Sequence, residues 1–513
     1  MKITRLLALS LLGWAAASTP ASASPGRVAR TVSDAITEID LERARRLLDR
    51  ADADSPAIVF ERARLAVYLG ECEAAAAMLD VPQFLDSKEA LQLSELAQSC
   101  ARATVAGLVL QDEKHGIWLR LQDDADRVLA PFIFEVAAAA RDAVGRDLGV
   151  DLPRPLRIDL VRDLFSLAAV SGLPVTAAET TGTLAVARWG RVIMLSPRAA
   201  QLGYPWQDTL AHEITHLMLS RASRDNAPLW LQEGIAKREE SRWRDARPFD
   251  EPRWADVTAR TAMASGRSVG IDKIGPSIAM LPTPEAASTA FAEVTSFMGY
   301  FLRESGEPSF RLLLADLKGF GDDGGPDGAL RSVTGYDLVQ WKERWQTALA
   351  VPPDPNQTAP AVTHPEPKVD DPRELARRVR LGDLLAGRDH AAAAASEYEL
   401  ALAQSRSEAA VRWRLARVQL AQGDRPAAER NLGAESEVSG PNAGWLALQG
   451  RFRAEAGQGA DAKKALTHAL GLHPLLEDVA CEGHFTLDDA PVTPLPAEPK
   501  RALCEQVSKA SRD

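Results

Sequence analysis

Residues 205–236 read PWQDTLAHEITHLMLSRASRDNAPLWLQEGIA. Within them His212-Glu213-Ile214-Thr215-His216 spells HExxH, and Glu233 follows in a Trp-Leu-x-Glu-Gly context. Residues four apart share a helix face, so His212 and His216 present two imidazoles to one point. A catalytic zinc takes three protein ligands and keeps a fourth position open. The spacing makes His212 and His216 two of these ligands. Glu233, from a second helix, supplies the third, and Glu213 stands one step round from His212 as general base for a water. On a wheel of about 100° per residue, Leu210, Ala211, Ile214, Leu217 and Met218 fill the opposite arc as a core stripe. Pro205 is expected to open this helix and Asp208 to occupy its first turn.

HEITH, with the glutamate of PLWLQEGIA seventeen residues on, resembles the gluzincin metallopeptidases, specifically the bacterial peptidase MA-like group. The segments AFAEVTSFMGYFLRESGEPSFRLLLADLKGFG and VTGYDLVQWKERWQTAL resemble that group's C-terminal helices. The resemblance implies an α+β zincin-like domain, a small sheet plus helices, over residues 106–350. It implies Zn²⁺ held by His212, His216 and Glu233, Glu213 as the catalytic base, and a peptide or protein substrate. It further implies that residues 182–188 form an edge strand taking the extended substrate by strand addition; on pattern alone the segment reads equally as a plain sheet edge. Such a peptidase also uses a tyrosine or histidine to stabilise the oxyanion. His115, Tyr204 and Tyr300 are the choices, and Phe291 stands where the group often carries tyrosine. Tyr300 lies across its helix from the core stripe, beside Glu293 and Ser296, facing a cleft or bulk water; we take it as the catalytic donor. Glu239 and Glu240 could orient a ligand histidine, or form a solvated charged face. Trp230 reads as a packing residue.

The strands expected before the motif cover residues 117–121 and 156–161, with a hairpin of 181–187 and 191–195 turning near Trp189-Gly190. A helix is expected over 128–148, and the remainder after the motif is helical.

Lys2 and Arg5 precede an apolar run over residues 6–17, and Ala21-Ser22-Ala23 makes a small-x-small cleavage site. Residues 1–23 thus read as a signal peptide, with an exported protein, periplasmic or secreted, as the consequence. The formal charge is −11, and more negative once Lys2 and Arg5 are removed, so nucleic acid is not an expected partner. No later run has the apolar length of a membrane span. Four cysteines allow three pairings; their positions suggest two local disulfides, Cys72–Cys100 and Cys481–Cys504.

Residues 24–105 alternate amphipathic helices with short breaks, and YLGECEAAAAML looks like half of a tetratricopeptide repeat. Residues 351–372 are a proline-rich linker. Over 373–475, Gly387, Gly423 and Gly457 are spaced 36 and 34 residues apart, each leading into an alanine-rich helix, with Leu381, Trp413 and Trp445 on packing sides. This resembles tetratricopeptide repeats, which commonly bind a protein partner. Residues 476–513 read as a tail pinned by the second cysteine pair. Two functional readings follow: an exported zinc metallopeptidase, or a scaffold that binds a partner through its repeats and retains a feebly catalytic metal domain.

Overall fold

The computed structural model describes residues 25–175, 183–197, 204–244, 254–275, 277–319, 325–351, 371–388, 390–438, 440 and 442–473. The expected signal segment 1–23, linker residues 352–370, Thr181 and Gly182 of the hairpin, and the tail with Cys481 and Cys504 lie outside the described residues. The described chain is mostly helical around one small mixed sheet, in line with the expected class of helices plus a small sheet.

Five helices come first: α1 (Pro25–Thr37), α2 (Leu41–Leu48), α3 (Pro56–Leu69), α4 (Cys72–Leu79) and α5 (Lys88–Thr104). Local signals set their limits. The side chains of Asp40 and Ser87 accept from the Arg43 and Ala90 N–H groups at the starts of α2 and α5, satisfying donors that a helix start leaves orphaned. Pro56 opens α3, and Gly70 closes it at φ 82°, a left-handed cap that glycine adopts without strain. The expected Cys72–Cys100 disulfide ties α4 to α5.

The sheet strands are β1 (Leu108–Asp112), β2 (Ile117–Leu121), β3 (Leu156–Val161), β4 (Ala185–Arg188) and β5 (Arg191–Leu195), in the order β1-β2-β3-β5-β4. Strands β2, β3 and β5 run parallel, and β1 and β4 are antiparallel edges. Three of the strands have the limits read from the sequence; β1 was not foreseen. The hairpin turns on Trp189 and Gly190, both at positive φ, as a two-residue loop requires. Helix α6 (Ala130–Leu148) is preceded by a 3₁₀ turn over Asp124–Leu129, so it starts two residues later than expected. Helix α7 (Leu164–Ser171) follows β3.

Alternation along the strands sends neighbouring side chains to opposite faces. On one face Leu119, Ile158, Leu160, Val192 and Met194 pack with α6 and with α8 (Trp206–Ser223) in the main core. On the other, Val161 and Ile193 meet α7 and the disulfide. The same face carries three buried charges. Arg120 Nε donates to Asp159 Oδ1 at 2.6 Å, and Arg191 Nε lies 3.0 Å from Asp159 Oδ2. Arg120 Nη1 also donates to Gly70 O, and Arg191 Nη1 to Val67 O, both at 2.8 Å. These carbonyls end α3, the negative end of its dipole, so the two guanidinium groups fasten the first five helices to the sheet. Burial pushes the Arg191 guanidinium down to about 10, with Asp159 opposing, which leaves it charged at neutral pH.

Beyond α8 come α9 (Leu229–Glu239), α10 (Trp254–Ala264), α11 (Pro284–Gly319, broken at Gly306), α12 (Gly325–Thr334) and α13 (Leu338–Ala350). Their apolar faces join the main core. Helices α14 (Pro372–Ala386), α15 (Ala391–Gln404), α16 (Ala409–Ala421), α17 (Arg425–Leu432), α18 (Ala443–Glu455) and α19 (Gly459–Leu472) form three successive hairpins. Trp445 is buried as expected, whereas Leu381 is exposed because α14 opens the stack. The last hairpin returns to the sheet-bearing part, where the Tyr204 N–H donates to Leu472 O at 2.7 Å. Among the described residues no helix is long and apolar enough to cross a membrane.

Candidate metal centre

Helix α8 starts directly after Pro205 and carries Asp208 in its first turn, as the sequence suggested. Asp208 is held by Arg244, whose Nη2 donates to Oδ2 at 2.6 Å. At the other end of α8, the Arg221 Nη1 donates to Glu38 O at 2.7 Å and the Arg224 Nε to Glu38 Oε1 at 2.9 Å. The helix is therefore pinned at both ends and packed between α6 and the sheet.

Helix α9 crosses α11 at Gly234. A Cβ there would come within 2.2 Å of Met298 Cγ and 2.8 Å of Val294 O, so the glycine after Glu233 permits the close approach that sets the Glu233 carboxylate in place. Trp230 is buried, edge-on to Phe297 with centroids 5.3 Å apart, and packs as expected.

His212, His216 and Glu233 converge. Their donor atoms all lie within 4.8 Å of one another. His212 Nε2 and His216 Nε2 are 3.1 Å apart, and Glu233 Oε2 lies 3.5 and 3.7 Å from them. Ligands at 2.0–2.1 Å from a tetrahedral zinc stand about 3.3 Å apart, so the spacing suits that ion without rearrangement. Two imidazole nitrogens and a carboxylate oxygen are also the donor types zinc prefers. Glu213 does not belong to this trio. It lines a cavity of about 300 Å³ beside it, together with His212, Thr209, Ala185 and Phe291.

The electrostatics are uneven. Burial opposes a charged His212, but the carboxylates of Glu233 and Glu240, with Glu213 nearby, outweigh it and push the imidazole up to about 9. His216 goes the other way, down to about 4: burial disfavours its charge and the neighbouring His212 adds repulsion, against the pull of Glu233. Burial, with repulsion from Glu233, pushes Glu213 up to about 7, although the charge of His212 and a hydrogen bond from the Ala187 N–H draw it down. For Glu233, burial is outweighed by the two histidines and its carboxyl stays below the usual range.

The two glutamates after Glu233 separate cleanly. Glu240 Oε2 lies 3.4 Å from His212 Nδ1, the ring nitrogen on the far side from the trio, where a carboxylate fixes tautomer and ring orientation. Glu239 instead is fully buried against Arg238 and within 3.5 Å of Arg242. It takes no part in the centre.

None of the three donor candidates lines the cavity. Tyr300 is buried in the main core, its ring edge-on to Trp341 of α13 at 6.3 Å. Nine residues separate it from Phe291, half a turn out of phase and about 13 Å along the axis. Its helix is covered on the side that the sequence left open between cleft and water, so Tyr300 faces neither. Phe291 faces the centre, its ring 6.4 Å from that of His212. Tyr204 is buried and donates through its hydroxyl to Leu195 O. His115 sits in the β1–β2 turn with Nδ1 2.5 Å from Asp112 Oδ2.

The cavity adds one residue that the sequence reading passed over: Lys237, four after Glu233, with Nζ 2.8 and 2.9 Å from the Glu240 oxygens. The i,i+4 spacing from Glu233 was the available signal. Comparison with protein-family models, curated proteins and solved structures finds no match for this chain.

Proposed function

We propose that the chain is an exported zinc metallopeptidase of gluzincin type, with tetratricopeptide-like helical units before and after its zincin-like domain. One observation carries the reading: three zinc-type donors converge at tetrahedral spacing while a second acidic group, Glu213, stands beside them without joining the set. A purely structural metal site has no use for that carboxylate. Zinc held by His212, His216 and Glu233 would supply Lewis acidity to water and to a peptide carbonyl. Glu213 takes the proton of the attacking water and delivers it to the leaving amine. Strand β4 borders the cavity through Ala185, with Leu184 just before it, and is the edge that would pair with an extended peptide. Export is supported by the Cys72–Cys100 disulfide, which suits an oxidising compartment. The three C-terminal hairpins offer a surface for a protein partner.

A second reading, a scaffold with a feebly catalytic metal domain, is favoured by one observation: among the described residues no tyrosine lines the cavity. Metal analysis with a peptide-library digest separates the two. About one zinc per chain is expected, with cleavage by the wild type; Glu213→Gln should keep the zinc and lose roughly 10²–10⁴-fold in turnover. Equal cleavage by both proteins sinks the peptidase reading, and a double His212→Ala, His216→Ala protein that retains its zinc sinks the site.

A further inference from the structure

The cavity beside the metal trio has one lysine among its lining residues, Lys237. It lies on α9 one turn beyond Glu233, so both point toward α8. Its ammonium is 2.8 and 2.9 Å from the two oxygens of Glu240, and one of those oxygens is 3.4 Å from His212 Nδ1. The ammonium thus lies beyond Glu240 on the Nδ1 side of His212, and it shares the cavity with Glu213. Two aromatic faces hold it there, Phe291 at 5.5 Å and Trp254 at 5.7 Å from Nζ to ring centroid. Rings in those positions attract the cation through their quadrupole. An ammonium has three donors, and the carboxylate of Glu240 occupies at most two, leaving one for a ligand in the cavity.

Resting on the metallopeptidase reading, we propose that Lys237 is the catalytic residue that donates to the substrate carbonyl oxygen as negative charge develops on it, the role that Tyr300, packed on Trp341, does not fill. A cation fixed in the lining of the cavity stabilises a developing oxyanion more than it stabilises the neutral carbonyl. Glu240 then has two neighbours with one purpose each: it orients His212 and holds Lys237 ready. The hydroxyls of Thr183 and Thr209 also line the cavity, but a charged donor gives the stronger interaction with an anion.

The test uses the full mature chain loaded with zinc, a phosphinic tetrapeptide with apolar flanking residues as the anionic probe, and the matching peptide amide. Leu184, Ile278 and Phe291 line the cavity, which suits such flanks. Lys237→Met keeps the side-chain stem and removes the charge. It should retain zinc and lose roughly 10²–10³-fold in affinity for the phosphinic peptide. Affinity for the amide, measured in a Glu213→Gln background where it is not turned over, should stay within about threefold. Lys237→Arg should recover most of the loss. Unchanged phosphinic binding in Lys237→Met overturns the proposal. So does a loss of zinc, which would make Lys237 a positioning residue acting through Glu240, or an equal loss for probe and amide, which would make it a ground-state contact. A zinc-loaded wild type that neither cleaves peptides nor binds the phosphinic probe overturns the peptidase reading itself, and this assignment with it.

Discussion

Two buried groups of charges lie on opposite faces of the same sheet, and they are built to opposite rules. On the face toward the first five helices, Arg120, Asp159 and Arg191 alternate in sign, and one further nitrogen of each arginine ends on a carbonyl, Gly70 O for Arg120 and Val67 O for Arg191. On the other face, two imidazole nitrogens and a carboxylate oxygen point at one another, and a second carboxylate, Glu213, is buried beside them. The first group sets one carboxylate between two guanidinium groups and joins two parts of the chain. In the second, donors of electron pairs converge with nothing between them but the space a cation fits. Perturbed protonation follows the same division. His212 is pushed up to about 9 and Glu213 up to about 7, while Arg191, at about 10, stays charged. Buried charge alone therefore does not mark a functional site; convergence of metal-type donor atoms on one point does.

The largest effect expected from breaking this contrast is on stability. Asp159→Asn leaves two buried guanidinium groups without their counter-ion and should cost about 3–5 kcal/mol, read from urea unfolding, with full zinc content in the folded protein. A loss under about 1 kcal/mol, or a protein that folds but no longer binds zinc, would show that the two groups are not independent. Next comes proton competition at the metal. Zinc requires neutral imidazole, and His212 holds its proton up to about 9. Apparent affinity should therefore rise about tenfold per pH unit from about pH 7 to about 9 and level off above, one proton leaving per zinc bound. A chelator competition series measures this, and a flat profile contradicts it. Glu240→Gln removes the carboxylate 3.4 Å from His212 Nδ1 and should weaken zinc by roughly 10–100-fold, whereas Glu239→Gln should leave zinc affinity alone. The smallest effect is assigned to Tyr300→Phe. With the ring packed on Trp341, turnover should change by less than about twofold, far short of an oxyanion donor's 10²-fold; a larger fall would return Tyr300 to the cavity.

The readability of the chain follows the range of the interactions involved. His212, Glu213 and His216 were legible because their spacing is local to one helix, and Glu233 because a motif links it to them. Strands β2, β3 and β5 were legible as short apolar runs that the sheet buries. β1 was not, since Leu108–Asp112 alternates between half-buried and exposed, a weak pattern at an edge. Tyr300 was misread because a helical wheel identifies one apolar stripe and says nothing about a further helix. Here α13 covers the opposite side with Trp341 and Trp345. Lys237 was hidden for the converse reason: a lysine on a helix surface reads as solvated until Phe291 and Trp254, distant in sequence, are seen beside it. Glu239 and Glu240 are adjacent in the chain and 100° apart on the helix, and only the packing decides which of them meets His212.

The hydrogen bond from Tyr204 to Leu472 has a bearing on when the protein matures. Tyr204 is buried two residues before the helix that carries His212 and His216, and a buried backbone donor needs a partner. That partner belongs to the last described helix, so it leaves the ribosome long after both histidines and Glu233. A nascent chain that ends between Glu233 and Leu472 holds the three converging residues and lacks this anchor. The order of synthesis thus places completion of the approach to α8 late in the chain's emergence, and a protein cut short before Leu472 would carry His212 and His216 on a helix whose entry is unfinished.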